Sequence, residues 1–231
     1  MIVSTMTYKE VTKEIYEDWI AVTNSLDRLG LTYDRERRRG RIDKSISYGR
    51  AYEIKTKKKN TWIFILSKAP SVEKYKDTGS INICSLVYYY NSIGIRVFKI
   101  IPGGGLSVYN GHLFKRYNER MNLGLSTPLE IVKHFFISNG YFTSKILPRW
   151  GGQFALSVCK EGLLLGEVQE GKSWLVHKTF ITREDAVPDQ EDLEQGLLKN
   201  LQKDIEAEIN KPEFNQDQYY YKADTLKGII S

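Results

Sequence analysis

Two blocks of short β-forming runs flank a pair of helix-forming segments, and this order leaves the chain few folds to choose from. Runs at 45–56, 61–68, 81–91 and 93–101 are rich in Ile, Val, Tyr, Phe and Trp, the residues that suit a pleated, half-buried surface. The first two are joined by the basic turn Lys57-Lys58-Lys59-Asn60 and the last two by Asn91-Ser92. Leu106–Tyr109 adds a short strand after the glycine trio 103–105. Three more runs at 153–159, 163–169 and 173–182 are separated by Lys160-Glu161-Gly162 and Glu170-Gly171, which spells a β-meander.

Between the blocks, Asn110 is placed to cap a helix over about 111–122, and Ser126 or Thr127 followed by Pro128 opens a second helix to Ser138. Ahead of them, Tyr8, Val11, Ile15, Trp19, Val22, Leu26 and Leu29 recur every three or four positions. That period predicts one amphipathic helix over 7–29, closed by Gly30. Past Pro188, Leu193, Leu197, Leu198, Leu201, Ile205 and Ile209 define a last amphipathic helix. The expected class is α+β: N-terminal helix, antiparallel sheet, central helix pair, then C-terminal β-meander and helix. One domain over 1–231 is expected, made of a helix and strands at 1–109, a core at 110–186, and an acidic helix and tail at 187–231.

Size agrees with a single core: 231 residues, 41% hydrophobic, can bury a substantial interior. No run approaches the roughly 20 apolar residues that span a bilayer, so no membrane association is expected. The start, MIVSTMTYKEVTKE, lacks the basic region, apolar stretch and cleavage site of a secretory signal, and a cytoplasmic location follows as the expectation. Cys84 and Cys159 stand far apart without a CxxC; reduced thiols are expected, with no metal and no cofactor. Net charge is +6 but unevenly placed: −3 over 1–27, +15 over 28–150 and −6 over 151–231. A segment so basic points to a polyanionic partner, RNA or another nucleic acid. The acidic C-terminal helix in turn offers a surface for a protein partner.

The segment NGHLFKRYNERMNL, 110–123, carries the densest chemistry. On a helix with His112 at zero, Arg116 falls near roughly 40°, Glu119 near −20° and Arg120 near 80°, while Leu113, Phe114, Tyr117 and Met121 lie at about 100–200°. One face is apolar and the other displays imidazole, guanidinium and carboxylate. In one reading this is a solvated surface on which Glu119 pairs with Arg116. In the other it is a metal-free phosphodiester site: His112 moves protons, Arg116 and Arg120 stabilise charge developing on phosphate, and Glu119 orients a guanidinium or acts as a base. RNA supplies its own nucleophile, the 2′-hydroxyl.

The pattern His-x3-Arg-x2-Glu-Arg, followed by a linker and a helix beginning Ser-Thr-Pro-Leu-Glu-Ile-Val, resembles the first helical part of the BrnT-like ribonuclease toxins of the RelE/ParE fold group. Ser173-Trp-Leu-Val-His-Lys-Thr-Phe-Ile181 resembles the terminal strand of that fold. The likeness covers 111–182. It implies helices packed on a small antiparallel sheet and RNA cleavage without metal, by a toxin-type or mobile-element-associated ribonuclease. Strand alternation puts His177 and Lys178 on opposite faces. Lys178, travelling with Trp174, Val176 and Phe180, is read as a phosphate contact, His177 as a structural histidine and His134 as a packed, hydrogen-bonded one.

Arg37, Arg38, Arg39 and Arg41, in an exposed loop or helix end at 35–41, and Lys57, Lys58 and Lys59 in the turn form the nucleic-acid-binding set. Tyr88-Tyr89-Tyr90 offers rings for base stacking. Two further readings stand beside ribonuclease activity. One is a non-catalytic nucleic-acid-binding or assembly module. The other is similarity to the PD-(D/E)xK metal nucleases, in which Asp43 and Glu53 would hold a divalent ion and Lys55 assist the attacking water.

Overall fold

The computed structural model describes residues 1–42, 49–68, 81–101, 105–140, 142–149, 152–169, 174–186, 192, 194–200 and 203. Its elements are α1 Tyr8–Thr23, α2 Leu26–Arg38, β1 Arg50–Lys55, β2 Thr61–Lys68, β3 Ile81–Asn91, β4 Gly94–Ile100, β5 Leu106–Asn110, α3 Gly111–Arg120, α4 Pro128–Ser138, β6 Thr143–Arg149, β7 Gly152–Cys159, β8 Gly162–Val168 and β9 Trp174–Ile181. Residues 192, 194–200 and 203 are also helical. The class is α+β, and the described strands form one nine-stranded sheet in the order β1-β2-β3-β4-β5-β9-β8-β7-β6. Each half is antiparallel, as its tight connections require. The join is a parallel pairing of β5 with β9, Leu106 opposite Trp174 and Tyr109 opposite His177. Parallel neighbours need a long crossover, here everything from α3 to β8. Residues 143–149, which carry no strand signal of their own, form the edge strand β6, where Pro148 sits because an edge tolerates a missing N–H.

The N-terminal helix differs from its sequence reading. The apolar period runs unbroken from Tyr8 to Leu29, yet the helix breaks at Asn24-Ser25 and restarts, passing through Gly30 to Arg38. Thr23 turns its hydroxyl onto the carbonyl of Ile20 at 2.8 Å, and the Thr-Asn-Ser run competes with the backbone for hydrogen bonds. The restart puts Tyr33, fully buried, over the sheet and makes 35–38 a helix end, which Gly40 closes at φ +66°. The start of α1 is a capping box: Thr7 Oγ1 accepts from the Glu10 amide, and Glu10 accepts from that of Thr7.

Both sheet faces are covered. On one, α3 and α4 lay Leu113, Phe114, Tyr117, Val132, Phe135 and Phe136 against Ile63, Leu86, Val97, Tyr109, Leu164 and Phe180. On the other, α1 and α2 cover Trp62, Phe64, Phe98, Val108 and Val176. Leu197 covers Leu156, Val158, Leu163 and Ile181 beyond them. Each fully buried large apolar side chain contributes about 1.5–3 kcal/mol. The α1 contact is pinned by Asp18, 2% exposed, which accepts from Trp62 Nε1 at 2.7 Å, Asn60 Nδ2 at 2.9 Å and the Thr56 hydroxyl at 3.0 Å. One helical carboxylate thereby fixes the β1–β2 hairpin.

Candidate functional site

The helix that the sequence singles out forms as expected in its outline. Leu113, Phe114 and Tyr117 are buried, and His112, Arg116 and Glu119 are exposed. Arg116 Nη1 pairs with Glu119 Oε2 at 3.2 Å, while Lys115 approaches the other carboxylate oxygen at 4.0 Å. His112 and Arg116 thus share an open surface one turn apart. Arg120 does not join them. Its Nη1 donates to the carbonyl of Phe180, and its Nε lies 3.5 Å from Asp185, so it ties the end of α3 to the end of β9.

Lys178 is also separate. Leu165 opposes Thr179 while Gly166 opposes His177, leaving Lys178 as the extra residue of a β-bulge. A Cβ on Gly166 would lie 2.2 Å from the Val176 carbonyl oxygen, so the close approach of the strands at the bulge requires glycine. The bulge resets the alternation. Phe180 packs with Tyr117 under α3, whereas Trp174 and Val176 pack under α1; the expected grouping of Lys178 with all three is corrected. The Lys178 ammonium bonds Glu167 Oε2 at 2.5 Å. Glu167 lies in register with Val176, which faces away from α3. The expected cluster of α3 with Lys178 is therefore not assembled.

The basic set is sorted by its neighbours. Glu36 of α2 accepts from the Tyr52 hydroxyl at 2.7 Å and pairs with Arg50 at 3.6 Å, which lays the end of α2 along the edge strand β1. Arg37 is half-buried beside Asp34 at 3.8 Å. Arg35, Arg38, Arg39 and Arg41 are exposed, and none has a carboxylate partner among the described residues. In the hairpin turn, Lys58 bridges Glu17 at 2.8 Å and Glu14 at 3.1 Å, leaving Lys57 and Lys59 exposed. Burial would raise the Glu14 carboxyl, but the terminal ammonium, Asn60 and Lys58 together bring it down to about 2. Tyr88 and Tyr90 sit edge to face at 5.8 Å, with Tyr90 exposed.

Of the metal-nuclease residues, Asp43 lies outside the described residues. Glu53 is bridged to Lys133 of α4 at 2.5 Å, and Lys55 is exposed at the far end of β1. Among the described residues no group of three His, Cys, Asp or Glu side chains is placed to share a metal. His134 is held at 2.9 Å by the Tyr117 hydroxyl, which donates to Glu161 at 2.6 Å. With its one proton given to the carboxylate, Tyr117 accepts from His134 Nδ1. Burial, and then Glu161, raise the Tyr117 pKa, so the phenol stays protonated. Glu161 also receives Asn139 Nδ2 at 2.6 Å, closing a polar network that locks α3, α4 and the β7–β8 turn.

A cavity, by contrast, has no counterpart in the sequence reading. The β3–β4 ladder begins at Leu86 opposite Lys99, leaving Ile81–Ser85 paired only to β2. Where the strands part, a space of about 860 Å³ opens. It is lined by consecutive residues of β3 and by Lys99, Ser107, Phe142, Leu175 and His177. His177 is 1% exposed, stacks on Tyr109 at 4.6 Å between ring centres, and has no hydrogen-bond partner for Nδ1. Burial, helped by the charge of Lys99, pushes its pKa down to about 3, so the imidazole is neutral. A lone lysine in an apolar strand, Val-Phe-Lys-Ile, is the sequence signal that marks this place.

No family model matches the chain, and neither a curated protein nor a solved structure matches it. Among the described residues no helix is long and apolar enough to cross a membrane.

Proposed function

We propose that the protein binds a polyanion, nucleic acid foremost, through the arginine-rich end of α2 and the adjoining edge of β1. The observation that carries this reading is the set Arg35, Arg38, Arg39 and Arg41, exposed beside β1 with no carboxylate partner among the described residues. Guanidinium groups left to solvent release phosphate counterions when they bind. The lysine turn stands at the other end of β1, about 17 Å away for five extended steps, so one bound strand reaches both. Lys58, held by two glutamates, adds little; Lys57 and Lys59 add more.

The test is titration of labelled RNA and DNA 20-mers at several salt concentrations. Arg38→Glu, Arg39→Glu and Arg41→Glu together should weaken binding by at least tenfold. The slope of log K against log salt should flatten by about 0.7–0.9 for every phosphate that the variant no longer neutralises. Unchanged affinity and slope would remove this reading.

Ribonuclease activity is the second reading, favoured by the shared open face of His112 and Arg116. It proceeds without Lys178, and with Arg120 engaged elsewhere. Turnover of RNA in EDTA that disappears in folded His112→Ala protein would establish catalysis on α3; binding without turnover leaves the non-catalytic module.

A further inference from the structure

The cavity where β3 leaves β4 has the features of a small-molecule site. Its volume, about 860 Å³, lies within the roughly 300–1,000 Å³ usual for ligand pockets. Its walls are mainly apolar, including Trp19, Ile65, Phe136, Phe142 and Leu175. Among the described lining residues Lys99 is the single charged side chain, and no carboxylate faces it. The Lys99 ammonium stands 4.6 Å from the Phe142 ring centre, an arrangement that orients the charge without neutralising it.

The sheet sets the spacing of the polar groups. Lys99 opposes Ser107, and Tyr109, two residues along β5, opposes His177. Side chains two apart on a strand and those directly opposite share a face, so Lys99, Ser107 and His177 emerge together on the α4 side. A buried polar atom left unpaired costs about 1–3 kcal/mol, and His177 Nδ1 is such an atom. Among the described residues, a mainly apolar lining with one cation and one unpaired neutral imidazole suits a guest with the converse distribution.

We propose that this cavity binds an elongated apolar molecule ending in a single negative charge, a carboxylate by preference, with the anionic head at Lys99 and the apolar body between Phe142, Phe136 and Leu175. The site is separate from the arginine surface of α2 and stands whatever the outcome with nucleic acid.

The experiment measures calorimetric binding of dodecanoate, dodecanol and dodecyltrimethylammonium, each below its micellar concentration, to the full chain. Saturable one-to-one binding in the order dodecanoate, dodecanol, then the cation is expected. Lys99→Met should lower dodecanoate affinity roughly 10- to 100-fold, the worth of a hydrogen bond to a charged group, and leave dodecanol unchanged. Lys99→Arg should keep the preference, and Leu175→Trp, which fills the chamber, should abolish binding of all three. The head-group series on the unaltered chain needs no variant to fold, and a thermal melt of each variant identifies any that does not. Absence of saturable binding, equal affinity for the three head groups, or dodecanoate binding indifferent to Lys99→Met in folded protein would overturn the proposal.

Discussion

Asp18 and His177 are both polar and almost wholly buried, at 2% and 1% exposure, yet their surroundings are opposites. Asp18 collects three donors from the β1–β2 hairpin on a single oxygen. His177 leaves Nδ1 without a partner and borders a cavity. A buried group whose bonds are complete holds a scaffold together; one whose bonds are incomplete, beside open space, is poised for something else. Asp18 under α1 is of the first kind, and His177 at the parting of β3 and β4 is of the second.

Breaking the scaffold side should have the largest effect. Asp18→Ala leaves three donors unpaired under α1 and is expected to cost about 3–5 kcal/mol in urea melts. Asp18→Asn, which keeps an accepting oxygen, should cost less. If both variants cost under about 1 kcal/mol, less than a typical buried hydrogen bond, Asp18 does not pin α1 to the hairpin.

Next comes acid. His177 stays neutral when folded down to about pH 3, whereas in the unfolded chain it takes up a proton near about pH 6.5. Below that pH the unfolded state therefore binds more protons, and stability falls as pH falls, by on the order of 1.4 kcal/mol per unit until the folded pKa is reached. Comparing the pH dependence of unfolding for the unaltered chain and His177→Phe isolates this contribution from the carboxylates; the variant should have the flatter acid limb. Parallel limbs would show that His177 is not buried as a free base.

Gly166→Ala tests the bulge that brings Phe180, not Thr179, to the α3 face. With a carbonyl oxygen 2.2 Å from the new Cβ, the strands must shift, at about 1–3 kcal/mol. The smallest effects belong to the surface: Arg116→Ala and Lys178→Ala each break an exposed ion pair and should change stability by less than about 0.5 kcal/mol. A decrease above roughly 1 kcal/mol in either melt would exceed what an exposed pair supplies and mean that the residue supports more than its visible partner.

Much of the fold was legible because strand and helix periods are local. The runs that became β1 to β5 and β7 to β9, the helix at 128 with its Thr127 cap, and the apolar face of α3 all follow from side-chain spacing and caps, whereas Asn110 stands at the start of α3 without the side-chain capping bond expected of it. The break at Asn24-Ser25 was hidden because the apolar period crosses it without a fault. β6 was hidden because Pro148 and the glycines after it read as loop. The candidate site was legible only in part: spacing put His112, Arg116 and Glu119 on one face, and they are there. It could not show Arg120 and Lys178 drawn to Phe180 and Glu167, since those partners are 60 and 11 residues away in the chain.

By itself, the sequence determined the element types other than β6, the uneven charge and the exposed arginine run, because each depends on neighbours within a turn or a pleat. Only the tertiary structure decided that two antiparallel blocks become one sheet through the parallel β5–β9 pair. It also decided that a bulge at Lys178 reverses the strand's faces, and that Lys99 and His177 meet across β5 at a cavity. These are pairings between residues far apart in the chain, and no local period encodes a register.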